Sequence, residues 1–379
     1  MDHLRLARQL DFLREADKLK GVTRASTLTD QSRPENSAEH SWQAALGALI
    51  WLPEVETEMM DRIIAMLLLH DLVEIDAGDQ PIDLPHDAQA LALAETAAAD
   101  RLFALLPEDQ GPGLRALWEE FEAMQSEAAR LAKTVDFAIP VLQVWAANPR
   151  RADHELVARD NTATGRARHI ATTRPALFDY LHAEMTSGAP ETVARSAFLA
   201  EADRLKGIDR ATTLCDASRH ENSAEHSWHL ALYALVLGEH APEGVSLSRV
   251  MRMLLLHDLV EIDAGDVPIY AQTAEGQAET EAAELAAATR LFGLLPEGEG
   301  APLLALWQEF EAARTPDAQF AKALDRFQPP LQNLASGGVS WRAHNATFEM
   351  VEARVGAPIA RSMPAFWDHI APQIRDFLG

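Results

Sequence analysis

Hydrophobic residues recur at helical spacing along most of this chain. Trp42, Ala45, Leu46, Leu49 and Ile50 stand at positions i, i+3, i+4, i+7 and i+8, so they would line one face of a helix. Segments of alternating β-branched residues bounded by hairpin turns, which are typical of paired strands, are missing from the sequence. The pattern therefore predicts an all-α fold.

Capping residues and prolines mark the ends and interruptions of the predicted helices. Asn36 is placed to cap the helix that carries this apolar face, with Glu39 three residues later as its reciprocal partner. Further helices are predicted over residues 88–106, 114–123 and 128–147. Pro140 lies within the last of these, and Pro329-Pro330 lies in a similar segment later in the chain. We expect a kink or break at both places.

One long pattern occurs twice in the chain. Residues 66–79 recur letter for letter as residues 253–266, and residues 35–42 recur as residues 221–228. The separation between matching residues drifts by a few positions, which indicates small loop insertions in the second copy. A repeat of this length is a duplicated domain, and 379 residues suffice for two domains. We predict tandem domains over residues 1–187 and 188–379.

The composition narrows the possible partners and the compartment. Lys and Arg number 33 against 58 Asp and Glu, and the net charge of −25 opposes binding to nucleic-acid polymers and anionic membranes, although not to a single nucleotide. Cys215 is the sole cysteine, which fits a reducing compartment. Residues 1–5 are charged where a signal peptide would be apolar, and no apolar run approaches the roughly 20 residues that span a bilayer. We expect a soluble, cytoplasmic protein.

Candidate chemistry begins where an apolar run ends in His70-Asp71. Burying ionised groups beside such a run is costly unless they are paired or bind a metal. A single copy would more simply be a buried histidine that bonds to its own helix, but both copies keep the pair and the acids after it. Glu74 is expected one turn above His70 on the same helix face. Gly78 then ends the helix, and Asp79 follows in a loop.

The repeat also identifies two further ligand candidates in each half. His40, in the first turn of its predicted helix, is matched by His226, and Asp136 is matched by Asp325. Two histidines and two aspartates form a donor set suited to Mn²⁺, Co²⁺, Fe²⁺ or Zn²⁺ rather than to metals that prefer thiolates. Six-fold coordination would leave two positions for water and a substrate oxygen.

The order His, His-Asp, Asp, with Glu-x-x-x-Gly-Asp after the pair, resembles the HD-domain metal-dependent phosphohydrolases, and among them the branch that includes the 5′-deoxynucleotidases. The similarity covers residues 12–145 and 198–334. The resemblance implies one divalent metal ion per domain, with the ligands His40, His70, Asp71 and Asp136 in the first and His226, His257, Asp258 and Asp325 in the second. It implies the catalytic acids Glu74 and Asp79 in the first and Glu261 and Asp266 in the second.

The resemblance also places arginines at the substrate. The family arginine that contacts phosphate falls on Arg24 and Arg210, each shortly after a Leu-Lys-Gly turn. Arg33 and Arg219 precede the first ligand of each copy and are further candidates for phosphate binding, with a solvated salt bridge as the alternative. Where the family has Thr-Gly-Trp after its arginine, this chain has Ala-Ser-Thr in the first copy and Ala-Thr-Thr in the second. The tryptophan that helps to read the sugar is therefore absent, and no sugar preference is implied.

The resemblance implies a metal-dependent phosphomonoester hydrolase that acts on (deoxy)nucleoside 5′-monophosphates or similar small phosphate esters. Asp79 or Glu74 would activate a water molecule while the other protonates the leaving alkoxide, and spacing alone leaves the order open. Arg24 would balance the charge of the phosphoryl oxygens.

Two alternatives remain from the sequence. One or both domains could bind a ligand without turnover, as a sensor does. HD-type oxygenases and other dinuclear members need extra histidines between the His-Asp pair and the last aspartate. There the first copy offers His86 and the second offers none, which favours a mononuclear site. Because related single-domain proteins dimerise, we also expect the two domains to pack as an internal pseudo-dimer, with further homo-oligomers open.

Overall fold

Helices make up most of the molecule, which confirms the predicted all-α class. The computed structural model describes residues 2–82, 84, 87–267 and 274–379, with the backbone alone at 274–277; His86 and Pro268, which the sequence places in loops, lie outside these ranges. The helices of the first half are α1 (His3–Ala16), α2 (Ser37–Trp51), α3 (Thr57–Leu69), α4 (Glu74–Ala77), α5 (Ala88–Phe103), α6 (Gly111–Ala123), α7 (Glu127–Ala146), α8 (Ala152–Ala163), α9 (Ile170–Thr173) and α10 (Pro175–His182). Those of the second half are α11 (Pro190–Ala202), α12 (Ser223–Leu237), α13 (Leu247–Leu256), α14 (Glu261–Ala264), α15 (Ala274–Phe292), α16 (Gly300–Ala312), α17 (Pro316–Ala335), α18 (Val339–Ala343), α19 (Phe348–Val351), α20 (Ala357–Ser362) and α21 (Pro364–Leu378). In the described part of the chain, no helix is both long enough and apolar enough to cross a membrane.

A capping box fixes the start of α2, as the sequence predicts. The backbone N–H of Glu39 donates to the side chain of Asn36 at 3.1 Å, and the backbone N–H of Asn36 donates to the carboxylate of Glu39 at 2.8 Å. Asn222 and Glu225 form the same box at the start of α12. Each box satisfies N–H groups that the first helical turn would otherwise leave unpaired, and His40 or its counterpart lies in that turn.

Two short hairpins interrupt the helices, and the sequence pattern did not reveal them. They are β1 (Thr23–Thr27) with β2 (Pro34–Asn36), and β3 (Asp209–Thr213) with β4 (His220–Asn222). Segments of three to five residues are too short to show a clear alternation of apolar and polar positions. Each hairpin matters to function because β1 carries Arg24 and β3 carries Arg210.

The expectation that Glu74 shares a helix with His70 is wrong. Helix α3 ends at Leu69, and Glu74 begins the separate short helix α4. Between them the chain tightens: the N–H of Leu72 bonds to the carbonyl of Leu69 at 3.1 Å, and that of Glu74 bonds to the carbonyl of Asp71 at 2.9 Å. These i to i−3 bonds form a tighter turn than an α-helix, and the turn separates the His-Asp pair from the acids.

The prolines of α7 and α17 do not break these helices. Helix α7 runs through Pro140, and α17 runs through Pro329-Pro330. A proline inside a helix removes one N–H donor, and its ring clashes with the carbonyl four residues earlier. Both helices are buried along much of their length, so packing keeps them continuous despite this cost. The predicted break is therefore absent from both halves, and the kink stays a prediction.

The two halves pack against each other as a pseudo-twofold pair, as predicted. Helix α2 packs on α12, α1 packs on α12, and α11 packs on α2. The contacts are reciprocal: the indole N–H of Trp42 donates to the carbonyl of Leu255 at 3.1 Å, and that of Trp228 donates to the carbonyl of Leu68 at 3.2 Å. One hydrophobic core continues through both halves. The domain boundary at residue 187 stays a prediction.

Candidate metal centres

Four side chains from three separate segments meet in the first half. His40 comes from α2, His70 and Asp71 from the turn after α3, and Asp136 from α7. Nε2 of His40 lies 3.0 Å from Oδ1 of Asp136, and Nε2 of His70 lies 3.1 Å from Oδ1 of Asp71. Ligand atoms of His40, His70 and Asp71 all lie within 4.8 Å of one another. All four residues are buried. The structure therefore brings together the four predicted ligands of this half.

The second half repeats this arrangement. Nε2 of His226 lies 3.1 Å from Oδ1 of Asp325, and Nε2 of His257 lies 3.0 Å from Oδ1 of Asp258. Ligand atoms of His226, His257 and Asp325 lie within 4.8 Å of one another. All four residues are buried here as well.

The hydrogen bonding of the central histidine shows that this donor set fits a cation. Nδ1 of His70 lies 2.9 Å from the carbonyl oxygen of Leu67, which can only accept, so Nδ1 carries the proton. Nε2 then presents a lone pair to the carboxylates, and it is buried without a hydrogen-bond partner. Burial also lowers the pKa of His70, which favours the neutral ring. His257 has the same Nδ1 contact, to the carbonyl of Leu254, and the same unpartnered Nε2.

A buried arginine lies among the acids beside the first centre. The guanidinium of Arg24 lies 2.8 Å from Asp71 and 3.6 Å from both Glu74 and Asp79. Burial, followed by the negative charges of Asp71 and Asp79, raises the pKa of Glu74 to about 8. The hydroxyl of Ser37 also donates to Glu74 at 2.5 Å. Glu74 can therefore hold a proton at neutral pH.

The second centre has the same electrostatic pattern. The guanidinium of Arg210 lies 2.7 Å from Asp258 and 3.7 Å from Glu261. Burial raises the pKa of Glu261 well above its ordinary value and also raises that of Asp266. For Asp258 burial acts in the same direction, but the neighbouring His257 and Arg210 lower its pKa to about 2. Glu74 in the first half and Glu261 in the second thus favour the protonated form.

A cavity of about 860 Å³ opens beside the first centre. Besides the centre itself, its walls include Lys133, Asn161 and Arg166. A smaller groove continues from it past Ser26 and Val144. These wall residues were not among the sequence predictions. Lys133 lies in the repeated segment that ends at Asp136, but the repeat gave no reason to separate it from its neighbours.

A cavity of about 90 Å³ adjoins the second centre. It is lined in part by Asn333, Ser340 and Trp341, together with Arg210 and Asp266. Among the described residues, the walls of the two centres therefore differ, whereas the side chains that meet at each centre match closely.

A protein-family model described as "HD domain" matches the chain twice, over residues 16–178 and 202–367. The chain belongs to the HD-domain family. Each match contains one of the two candidate metal centres, so the molecule is a tandem of two HD domains.

Individual relatives of these HD domains cover a third to a half of the chain. 5′-deoxynucleotidase HDDC2 is 34% identical to this chain in Bos taurus and 32% in Homo sapiens, over 137 residues in each case. Each alignment covers 35% of this chain and 65% of the relative, so the chain spans just under two thirds of these relatives' length. A solved structure of a predicted metal-dependent phosphohydrolase from Magnetospirillum magnetotacticum MS-1 is 45% identical, covering 50% of this chain and 95% of that chain, with a TM-score of 0.46.

The arginines that precede the first ligand of each HD domain form ion pairs at the interface between the halves. Arg33 pairs with Glu39 and donates to the backbone carbonyl of Lys206 at 2.7 Å. Arg219 pairs with Glu225 and donates to the carbonyl of Lys20 at 2.7 Å. These contacts correspond to the salt-bridge alternative, and we assign neither arginine to substrate below.

A buried glutamate lies behind the first predicted ligand of each HD domain, and it was not among the sequence predictions. Oε1 of Glu35 lies 3.6 Å from Nδ1 of His40, and Oε1 of Glu221 lies 3.3 Å from Nδ1 of His226. Both glutamates open the repeated eight-residue stretch. The repeat therefore contained the signal, but it gave no reason to separate Glu35 from its neighbours.

Proposed function

We propose that this chain is a metal-dependent phosphomonoester hydrolase with one mononuclear site in each HD domain. The observation that carries the proposal is the meeting of two histidines, two aspartates, an arginine and two further acids, which occurs once in each half. The named relatives, 5′-deoxynucleotidases, support the same reaction class.

The eight predicted ligands would hold the ions, and their nitrogen and oxygen donors suit Mn²⁺, Co²⁺, Fe²⁺ or Zn²⁺. A divalent ion bound there supplies charge neutralisation at the phosphate and a bound water of lowered pKa. The unpartnered Nε2 atoms of His70 and His257 support this assignment, because a buried polar atom is costly to leave unpaired.

The chain's own acids divide the proton transfers between them. Glu74, whose pKa is raised to about 8, holds the proton that passes to the leaving alkoxide. Asp79 is the partner that accepts a hydrogen bond from the attacking water and orients it. Arg24 lies between these acids and faces the cavity, where its planar guanidinium can pair with phosphoryl oxygens.

We propose (deoxy)nucleoside 5′-monophosphates or similar small phosphate esters as substrates. A cavity of about 860 Å³ is large enough for a nucleotide. Lys133 and Arg166 add positive charge to walls that are otherwise rich in acids, and Val144 and Val157 give the adjoining groove an apolar side. The sole cysteine, Cys215, fits the reducing cytoplasm that we propose as the compartment.

A phosphatase screen of the metal-loaded protein tests this proposal. Nucleoside monophosphates and small phosphate esters are tested as substrates. The activities of the parent chain, Asp71→Ala, Asp258→Ala and the double variant are compared. Each single variant should lose the activity of one half, and the double variant should lose all of it, because each aspartate is a ligand of its own centre. Full activity in the double variant contradicts the mechanism. Nucleotide binding without turnover by the parent would indicate a sensor instead.

A further inference from the structure

Two lysines are buried at the interface between the HD domains. Lys206, which is 0% exposed, donates from Nζ to Glu35 at 2.8 Å, to Asp203 at 2.7 Å and to Gln43 at 2.6 Å. Glu35 and Gln43 belong to the first half, whereas Lys206 belongs to the second. A buried lysine of this kind is stable only when its charge is compensated.

Lys20, the counterpart of Lys206 in the first half, makes the matching contacts. Lys20, which is 1% exposed, donates to Asp17 at 2.5 Å and to Glu221 at 3.0 Å. It also donates to Nδ1 of His229 at 3.1 Å, since the Nε2–H of His229 donates to the carbonyl of Leu13. Each lysine therefore joins an aspartate of its own half to a glutamate of the other half.

Each lysine binds the glutamate that lies behind the first predicted metal ligand of the other half. In the first half Oε2 of Glu35 is held by Lys206 and, at 2.7 Å, by Gln143. Its Oε1 faces Nδ1 of His40 at 3.6 Å and Nε of Arg24 at 3.7 Å. These three facing atoms are buried and lack hydrogen-bond partners. One oxygen of the carboxylate is thus anchored across the interface while the other is directed at the metal ligand.

The second half shows the same division. Oε2 of Glu221 is held by Lys20 and, at 2.8 Å, by Gln332. Its Oε1 lies 3.3 Å from Nδ1 of His226. Here Gln328 also contacts Nδ1 of His226 at 2.9 Å, so this ligand has a second support from its own half.

We propose that Lys20 and Lys206 are positioning residues that complete each other's metal centre: each fixes the carboxylate that orients the first histidine ligand of the opposite HD domain. The inference rests on the proposed metal centres. A carboxylate behind a metal-bound histidine sets the orientation of the ring and raises its basicity, and loss of such a partner weakens metal binding by roughly 10- to 100-fold. Without its lysine, a buried glutamate would have to take up a proton or turn away.

Metal binding measured at one centre at a time in the full-length chain tests this proposal. Asp258→Ala leaves only the first centre intact, and Asp71→Ala leaves only the second. Lys206→Met and Lys20→Met are introduced into both backgrounds, and Co²⁺ binding is followed by calorimetry and by visible absorption. Lys206→Met should weaken Co²⁺ binding roughly 10- to 100-fold at the first centre and leave the second nearly unchanged. Lys20→Met should do the opposite, less severely because Gln328 supports His226.

The matched controls separate positioning from general stability. Lys206→Arg keeps the positive charge and should restore most of the affinity and the Co²⁺ spectrum of the first centre. Circular dichroism on heating reports whether each variant folds, and if the Met variants do not, Gln variants, which keep an amide donor, replace them. Equal weakening at both centres, or none at either, would overturn the inference. If the parent chain binds no Co²⁺ at all, the proposed function itself fails.

Discussion

At the residue scale, the two ring nitrogens of His70 have different roles. Its Nδ1 bonds to the carbonyl of Leu67 in the last turn of the preceding helix α3, and its Nε2 faces the carboxylates without a partner. The same histidine can therefore bond to the helix before it through one nitrogen and bind a metal ion through the other. The first contact fixes the tautomer that the second requires.

Glu74 provides a test of the proton transfers. In a chain whose second centre is disabled by Asp258→Ala, Glu74→Gln should lower kcat by about 10²- to 10⁴-fold, because the leaving group loses its proton donor. Metal binding should persist, since Glu74 is outside the ligand group. With Glu74 intact in the Asp258→Ala background, the rate should fall as pH rises through the raised pKa of Glu74, because the protonated form is the active one. Steady-state kinetics against pH, with metal content measured in parallel, checks this.

The control for that experiment is Glu119→Gln, which alters an exposed carboxylate on α6. It should leave both kcat and the pH profile unchanged. A similar loss of activity in both variants would mean that Glu74 acts through overall charge and not as a proton donor.

At the element scale, the helices followed from the sequence because their apolar faces extend over several turns. The cap formed by Asn36 and Glu39 was predicted correctly from two residue types and their spacing. The end of α3 at Leu69 was not, because apolar residues continue past His70 and hide the change to a tighter turn. The four predicted metal ligands of each half could be proposed only because the repeat and the family resemblance marked them. Spacing alone does not show that distant segments converge.

Gly78 links α4 to Asp79, and its backbone conformation is one that other residues rarely adopt. Its φ is 74° and its ψ is 156°, a region almost restricted to glycine, although an added Cβ would meet nothing within 4 Å. Gly78→Ala should therefore destabilise the protein by about 1–3 kcal/mol through backbone strain. It should also reduce turnover at the first centre by displacing Asp79. Urea denaturation and kinetics in the Asp258→Ala background measure the two effects.

Gly113→Ala is the matched control, because Gly113 also has free space around it but lies in α6 with ordinary helical geometry. That substitution should leave stability equal or slightly higher, since alanine favours a helix over glycine by up to about 1 kcal/mol. Equal destabilisation by both variants would show that the conformation of Gly78 is not the cause.

At the scale of the whole molecule, the halves are joined by buried charges as well as by a shared apolar core. Asp17, Lys20 and Glu221 form one cluster, and Lys206 with its partners forms the other. Removing one member would leave a buried charge uncompensated, which costs more than the intact cluster contributes. These clusters tie the stability of one half to the presence of the other.

The clusters predict a marked sensitivity to acid. Burial acts to raise the pKa of Asp17, but the charge of Lys20 lowers it below its ordinary value, and the pKa of Glu221 is lowered likewise. A depressed pKa in the folded state means that these carboxylates stabilise the fold above their unfolded pKa values, near pH 4, and that the contribution is lost as pH falls through the folded values. The free energy of unfolding should therefore fall steeply below about pH 4.

Chemical denaturation followed by circular dichroism across this acidic range measures the effect. Asp17→Asn should be less stable than the parent at neutral pH and should show a shallower loss on acidification. Asp11→Asn, at an exposed position on α1, serves as the comparison and should follow the parent curve. Parallel curves for all three proteins would show that the buried cluster does not set the acid response.

The covalent link between the halves has a consequence for how the protein can diverge. In an assembly of two identical subunits, every substitution appears in both pockets at once. Here a substitution alters one pocket alone, while the reciprocal contacts between α2 and α12 still hold the pair in register. Val144 borders the first pocket, whereas Asn333 occupies the corresponding wall of the second. A gene of this kind can explore two ligand preferences within a single folded unit.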